Sequence, residues 1–201
     1  MKKTIIWLGL SLLIVAAMLL ASCSTTTSTS TPTSTTTTAV VSTTPAGPVV
    51  LTVTNGSTVK SYSMADLQAL PAVTGNGGTK NKTGVITGPF SYQGVALKDL
   101  LNAVGGVTSG QSVKLTGSDG YSKTLTYDQI TSGGFATYDT SGNPVTPTTT
   151  PILAIVYSSN GTMLDNTAGP IELGILCNQS LISDGSTWVK LVNKIDIITA
   201  Q

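Results

Sequence analysis

The stretch Ala96-Leu-Lys-Asp-Leu-Leu-Asn-Ala-Val-Gly-Gly106 carries the clearest secondary-structure signal in the chain. Its apolar residues recur at the i, i+3, i+4 and i+7 spacing of one helical face, and they are Leu97, Leu100, Leu101 and Val104. Two glycines follow, and glycine is the usual residue after the last turn of a helix. The pattern predicts a helix over residues 96–104 with its apolar stripe facing a core.

Strand patterns dominate on both sides of this helix. Residues 49–54 alternate and are β-branched, and Asn55-Gly56 is typical of a hairpin turn into a second strand at residues 58–62. Ser63 with Asp66 three positions later predicts a helix N-terminus, and this helix ends before Pro71. Further strands are predicted at residues 112–116, 121–126, 135–138, 152–158 and 171–176.

The end of the chain predicts a half-exposed closing strand with period-two alternation. One face carries Val189, Leu191, Ile195 and Ile197, and the other carries Lys190, Lys194 and Asp196. Two clusters rich in turn-forming residues, at 75–78 and 140–150, are predicted as a turn and a loop. The predicted fold class is α+β: one compact, mixed but β-rich domain.

The N-terminal segment has the features of a secretory signal peptide. Lys2 and Lys3 precede an apolar run over residues 5–21, and the junction Leu20-Ala21-Ser22-Cys23 resembles the bacterial lipobox. That resemblance implies cleavage after residue 22 and a lipid on Cys23, with at least two acyl chains sufficient for stable anchoring. An uncleaved transmembrane anchor is the alternative, and the apolar run is at the short end of what a bilayer requires.

A tether and a single domain follow this segment. Residues 24–46 are nearly all Ser and Thr, a composition with too little apolar surface to fold. The predicted organisation is therefore a signal peptide over residues 1–22, a lipidated cysteine with a flexible tether over residues 23–47, and a domain over residues 48–201. We expect an extracytoplasmic protein held at a cell membrane or envelope.

Charge and composition exclude several classes of function. Lys and Arg together number 10, Asp and Glu number 9, every basic residue is Lys, and His is absent. So sparse and balanced a charge lacks the basic patch of a nucleic-acid-binding protein. Without histidine, neither a Ser-His nor a Cys-His nucleophile can be assembled. With a lipid on Cys23, Cys177 has no disulfide partner within the chain, and its position after the apolar residues 171–176 predicts a buried, inert thiol.

The order of several short motifs resembles the oxidoreductase molybdopterin-binding domain family of the sulfite-oxidase type. The motifs are Ser91-Tyr92-Gln93-Gly94-Val95, then Leu97-Lys-Asp-Leu-Leu101, Ser118-Asp119-Gly120-Tyr121, Asn160-Gly161, Gly169-Pro170 and Trp188-Val189-Lys190. The resemblance implies a compact α/β fold with much irregular β structure. It also implies a cleft for the pterin cofactor, with a cysteine thiolate on molybdenum from the segment before the Tyr92 motif.

This chain departs from the family at those chemical positions. Residues 72–90 contain no cysteine, and Thr74 and Asn76 cannot replace a thiolate as a soft ligand. Lys80 and Lys82 are weak substitutes for the arginines that usually hold a cofactor phosphate. We therefore predict no catalytic residue, no metal ligand and no bound cofactor, with molybdopterin as the alternative.

The remaining candidates have structural and functional interpretations that stay open. Asp119 and Tyr121 form a turn and are also candidates to line a ligand cleft. Trp188 is expected to pack the final strand onto the core rather than to stack on a ligand. The predicted ligand-binding set is Thr74, Asn76, Lys80, Lys82, Asp119 and Tyr121.

Three functions are compatible with these features. The first is a non-catalytic, lipid-anchored module that binds a small molecule or an envelope protein partner. The second is a molybdopterin-dependent oxidoreductase with an unusual site, and the third is a structural or spacing lipoprotein. A concave pocket with convergent polar groups distinguishes the first from the third.

Overall fold

Strands make up most of the regular structure in residues 44–165 and 169–199, which the computed structural model describes. The strands are β1 (Val49–Asn55), β2 (Thr58–Ser63), β3 (Ala72–Lys80), β4 (Ile86–Ala96), β5 (Gln111–Gly117), β6 (Ser122–Thr126), β7 (Thr137–Tyr138), β8 (Ile152–Ser159), β9 (Thr162–Met163), β10 (Glu172–Leu176), β11 (Ile182–Asp184) and β12 (Val192–Thr199). The helices are α1 (Met64–Ala69), α2 (Leu97–Asn102) and α3 (Tyr127–Ser132), with a 3-10 turn at Gly185–Thr187. The predicted signal peptide, Cys23 and most of the predicted tether lie outside these residues.

Two sheets carry these strands. The first has the order β2-β1-β12-β5-β6, in which only β1 and β12 run parallel. The second has the order β10-β8-β4-β3-β11-β7, with β9 paired to β8 and a single parallel pair between β3 and β11. The predicted β-rich single domain with few helices is confirmed.

The last strand, β12, lies between β5 and β1, the first strand of the domain. Its exposed side carries an ion pair between Lys194 and Asp196, whose Nζ and Oδ1 atoms lie 2.9 Å apart. The predicted start of this strand at Val189 is wrong. Leu191 has a φ of 54°, outside the extended region, so the strand begins only at Val192.

A hairpin of β3 and β4 replaces the turn predicted at residues 75–78. Those residues lie inside β3 and pair with β4, and the reversal comes at residues 81–85 instead. There the Asn81 side-chain oxygen accepts hydrogen bonds from the backbone N–H groups of Thr83 and Val85. The glycines serve close packing, since a Cβ on Gly78 would lie 2.4 Å from Cδ1 of Ile182.

The first two helices follow the sequence prediction. Ser63 caps α1 and forms a reciprocal capping box with Asp66, as expected. The helix predicted over residues 96–104 is confirmed as α2, shorter by about a turn because Ala96 is still in β4 and the last residues tighten into a turn. All four residues of its apolar stripe are buried.

The helix α3 was not predicted, although its capping signal is present. Thr126 accepts a hydrogen bond from the Gln129 N–H, and the Gln129 side chain accepts one from the Thr126 N–H. None of its residues is buried, so it has no apolar stripe to reveal a helical period. The capping residues Thr126 and Gln129 are the feature of the sequence that indicates this helix.

The strands β8 and β10 of the second sheet are buried on both faces. Successive residues of β8 alternate between the main core, which includes Ile155, and a smaller cluster that includes Val156. Tyr92, Leu176 and Trp188 complete the smaller cluster together with Ala154. In the described residues, no helix is long and apolar enough to cross a membrane.

Candidate ligand-binding cleft

A cleft of about 610 Å³ opens beside the smaller apolar cluster. Its walls come from the β3–β4 hairpin, the turn after β5, the start of β10 and the segment from β11 to Lys190. The aromatic side chains that line it are Phe90, Tyr92, Tyr121 and Trp188. The charged side chains that line it are Lys82, Asp119, Glu172, Asp184 and Lys190.

Trp188 and Tyr92 form the most buried part of the aromatic wall. Their ring centroids lie 5.3 Å apart, and Phe90 extends the wall with its ring centroid 6.4 Å from that of Tyr92. The Trp188 Nε1 donates a hydrogen bond of 2.8 Å to the hydroxyl of Ser183. That bond satisfies the indole donor, so the orientation of the ring is fixed.

Glycines in β3 and β10 make room for the indole. A Cβ on Gly77 would lie 3.1 Å from the Trp188 ring and 2.8 Å from the carbonyl oxygen of Ile175. A Cβ on Gly174 would lie 3.2 Å from the same ring. The Gly-rich segment of β3 is therefore one side of an indole pocket and not a turn.

Tyr121 stands at the rim of the cleft, held by two hydrogen bonds. Its backbone N–H donates to the Asp119 carboxylate at 3.0 Å, and its hydroxyl donates to the carbonyl oxygen of Ser186 at 2.8 Å. The ring is 44% exposed. Asp119 and Tyr121 thus form the turn that the sequence indicates and also line a cleft, so the two interpretations are compatible.

Glu172 is the most unusual group in the cleft. The side chain sits at the start of β10, is only 5% exposed, and receives no hydrogen bond from any described residue. Burial raises the pKa of Glu172 to about 7, although the nearby Lys190 ammonium acts in the opposite direction. The carboxyl group therefore changes charge near neutral pH.

The pKa values of two other groups in the cleft, Tyr92 and Asp184, are also shifted. Burial raises the pKa of the Tyr92 hydroxyl to about 12, and the negative charge of Glu172 adds to that shift. The pKa of Asp184 is lowered, chiefly by a hydrogen bond from the Ser186 N–H and further by the charges of Lys123 and Lys82. Asp184 is thus ionised within the cleft, while Tyr92 stays neutral.

Comparison with known proteins shows that this chain is similar to a solved structure in its fold. No protein-family model and no curated protein matches this chain. A solved structure that does match is the sulfane dehydrogenase SoxCD from Paracoccus pantotrophus, with a TM-score of 0.53 and 18% sequence identity. The match covers 74% of this chain and 37% of that chain.

This chain has a sulfite-oxidase-like fold. The order of weak motifs in the sequence had implied it, and the structural match supports it independently. Because this chain spans only 37% of the matched chain, the likeness concerns architecture alone.

The residues of the cleft do not fit a molybdenum-binding pterin. The sulfite-oxidase-like fold implies a cysteine thiolate as metal ligand, and no cysteine lines the cleft. Cys177 is buried as predicted, and its Sγ lies 3.5 Å from the Thr149 hydroxyl and 3.9 Å from the Gln179 side-chain oxygen. Within residues 44–165 and 169–199, no three Cys, Asp or Glu side chains cluster as a metal site would require.

The structure separates the predicted ligand-binding residues into two groups. Lys82, Asp119 and Tyr121 line the cleft together. The other three lie elsewhere: Thr74 is exposed on β3, Asn76 pairs through its backbone with Cys177, and Lys80 donates to the Gly142 carbonyl at 2.9 Å. A role in ligand binding stays a prediction for all six residues.

Sequence reasoning missed Glu172 and Tyr92 as members of the site. Glu172 had a signal, because it is the only charged residue in the apolar run 171–176 and a buried carboxyl group requires an explanation. Tyr92 lay within a recognised motif, but nothing in the sequence indicates the face of the strand that it occupies. Trp188 packs on the core as predicted and lines the cleft as well.

A second cavity, of about 650 Å³, lies under the loop between α3 and β8. Its lining is formed by Thr, Pro and small residues with Phe135, Tyr138 and Val145, and it contains no charged side chain. The cleft at Glu172 combines aromatic rings with converging polar groups and is the better candidate.

Proposed function

We propose that this protein is a non-catalytic, lipid-anchored lipoprotein of the cell envelope whose domain binds a small organic ligand in the Glu172 cleft. The observation that carries the proposal is a concave, aromatic-walled cleft with a buried carboxyl group that no described residue satisfies. Pockets of this kind, apolar with a few converging polar groups, are typical of small-molecule sites. A lipoprotein that acted only as a spacer would have no use for such a cleft.

The anchoring half of the proposal rests on the sequence. The junction Leu20-Ala21-Ser22-Cys23 supports lipidation of Cys23, and the Ser/Thr-rich residues 24–46 support a tether. These positions lie outside the described residues. The non-catalytic half rests on the absence of histidine and arginine from the sequence and of a cysteine from the cleft lining.

A small-molecule library screened by thermal unfolding tests the binding function. A ligand at a hundred times its Kd stabilises a protein by about 2.7 kcal/mol, which is a readily measured shift in Tm. Thr87 lines the cleft and is exposed, so Thr87→Phe places a ring in it. Thr124 is exposed on the edge strand β6 and does not line the cleft, so Thr124→Phe is the matched control.

We expect at least one compound to raise the Tm of the unmodified chain and of Thr124→Phe, but not of Thr87→Phe. A library without any such compound would contradict the proposal. Compounds that stabilise Thr87→Phe equally well would place the binding outside the cleft and also contradict it.

A further inference from the structure

We propose that the ligand of the Glu172 cleft is an organic cation, with a protonated amine or quaternary ammonium group held against Glu172 and the aromatic wall. This inference rests on the proposed binding function and names the ligand class. It arises from three features of the cleft: a carboxyl group without a donor, the faces of aromatic rings, and the balance of charge.

The side chain of Glu172 is as buried as a core residue, but its carboxyl group accepts no hydrogen bond from the described residues. It is 5% exposed, and Lys190 is near enough to influence it electrostatically but forms no ion pair with it in the described part of the chain. Among the described residues no sealed side-chain oxygen lacks a hydrogen-bond partner, so the Glu172 oxygens are open to the cleft, where a ligand can reach them. A ligand with a positive charge would pair with these oxygens.

Four aromatic rings line the same cleft as Glu172. Tyr92 and Trp188 form the wall, the negative charge of Glu172 acts on the Tyr92 hydroxyl, and Phe90 and Tyr121 extend the wall to the rim. The face of an aromatic ring attracts a cation, and enclosures of several rings are a known means of binding quaternary ammonium groups. An anion would meet the same ring faces unfavourably.

The charges of the lining favour a cation over an anion. Three carboxylates line the cleft, from Asp119, Glu172 and Asp184, against two ammonium groups, from Lys82 and Lys190, which leaves a formal excess of one negative charge. Lys82 lies near Asp184 and Lys190 near Glu172, so each ammonium group already faces a carboxylate. An anionic ligand would have to compete with those carboxylates.

Binding of a cation must then be coupled to the ionisation of Glu172. The groups that face Glu172 from the packed elements are Tyr92 on β4 and Lys190 before β12, with Asp119, Asp184, Lys82 and Tyr121 around the same cleft. Side chains of the Asp, Lys and Tyr types ordinarily change charge outside pH 6–8. Burial raises the pKa of Glu172 to about 7, inside that interval.

The test uses three probes that share a benzyl or phenyl ring: benzyltrimethylammonium, benzyl alcohol and benzoate. The sequence has two tryptophans, Trp7 in the predicted signal peptide and Trp188, so the mature lipoprotein that begins at Cys23 reports on the cleft through one indole. We expect a saturable change in Trp188 emission with benzyltrimethylammonium, whose charge does not depend on pH. Its affinity should be about tenfold higher at pH 8 than at pH 6, the ratio of ionised Glu172 at the two values.

Glu172→Gln keeps the shape of the side chain and removes its charge. This variant should bind benzyltrimethylammonium more weakly and with the same affinity at both pH values. Asp99→Asn, an exposed change on α2 that also removes one negative charge, should keep the behaviour of the parent chain. Persistence of the pH dependence in Glu172→Gln would overturn the inference.

The neutral and anionic probes separate this inference from the proposed binding function. If benzyl alcohol or benzoate binds as tightly as the cation, the ligand class is wrong while the cleft remains a binding site. If none of the three probes changes Trp188 emission, the cation class is also wrong, and the library screen with Thr87→Phe decides the binding function separately.

Discussion

The Nε1 atom of Trp188 lies 2.8 Å from the hydroxyl oxygen of Ser183, which in turn donates to the Gly78 carbonyl oxygen at 3.3 Å. This chain of hydrogen bonds ties the indole to β11 and β3 while its ring packs against Tyr92. The same ring therefore covers one face of the second sheet and lines the cleft. Packing and ligand binding are coupled through one side chain.

Gly77→Ala should disturb this arrangement. A Cβ at that position would lie 2.8 Å from the Ile175 carbonyl oxygen and 3.1 Å from the indole, so strand or ring must move. We expect a loss of about 1–3 kcal/mol in the free energy of unfolding, together with a shifted Trp188 emission. Gly110→Ala is the control, because its Cβ would meet nothing within 4 Å. Equal stabilities of the two variants would refute the close-packing role of Gly77.

Ser63→Ala should weaken α1. The Ser63 hydroxyl accepts a hydrogen bond from the Asp66 N–H at 3.2 Å and donates one to the Asp66 carboxylate at 2.7 Å. Loss of an N-cap side chain costs about 1 kcal/mol, which denaturant unfolding can resolve. Ser57→Ala, in the exposed turn between β1 and β2, should leave the stability unchanged. A neutral effect of Ser63→Ala would mean that the cap does not support the helix.

Ionisation of Glu172 should lower the free energy of unfolding as the pH rises toward neutral. Its folded-state pKa, about 7, lies above the ordinary glutamate value of 4.5, so the folded state holds a proton that the unfolded state releases. The resulting stabilisation is complete below the unfolded pKa and is lost as the pH rises through the folded pKa. The shift corresponds to at most about 3 kcal/mol, and the opening of the cleft to water reduces that value.

Urea unfolding of the unmodified chain and of Glu172→Gln between pH 4.5 and pH 8 measures this effect. The difference between the two chains should change steadily in favour of Glu172→Gln as the pH rises. The partly exposed carboxylates Asp66 and Asp139, whose pKa values are lowered by hydrogen bonds, lose their contribution only at more acidic pH. A difference that is constant across the range would show that Glu172 is ionised throughout.

Cys23→Ala should release the protein from the membrane without affecting its domain. The acyl chains on this cysteine are the proposed anchor, and each buried methylene contributes about 0.8 kcal/mol. Cys177→Ala provides the control, since Cys177 is buried inside the domain and should not affect anchoring. Fractionation and mass analysis of the lipid adduct measure both. Retention of acylation and membrane binding by Cys23→Ala would contradict the lipobox interpretation.

The sequence predicted those elements whose signal is local. The stripe of α2 and the cap of α1 depend on residues a few positions apart, and both were found. The β3–β4 hairpin was missed because Gly75, Gly77 and Gly78 are typical of turns, whereas here they allow close approach of Leu176, Trp188 and Ile182, respectively. That requirement arises from residues about a hundred positions away, so no local pattern expresses it.

The site was predicted only in part for a similar reason. Asp119 and Tyr121 belong to a recognisable turn, and Lys82 was named as a substitute for the phosphate-binding arginines that the family resemblance implies. The raised pKa of Glu172 results from its burial. Tyr92 and Lys190, which interact with its charge, belong to elements distant in the sequence. A pKa that depends on such neighbours requires the folded structure.

Native mass spectrometry of the full-length protein tests the central claim most directly. The protein is released in detergent from the membranes of the cells that produce it. We predict one small organic molecule per chain, absent from Thr87→Phe and present in Thr124→Phe, with no molybdenum in the bound mass. A chain that carries one molybdenum-containing cofactor would contradict the account, as would a bound molecule that Thr87→Phe retains.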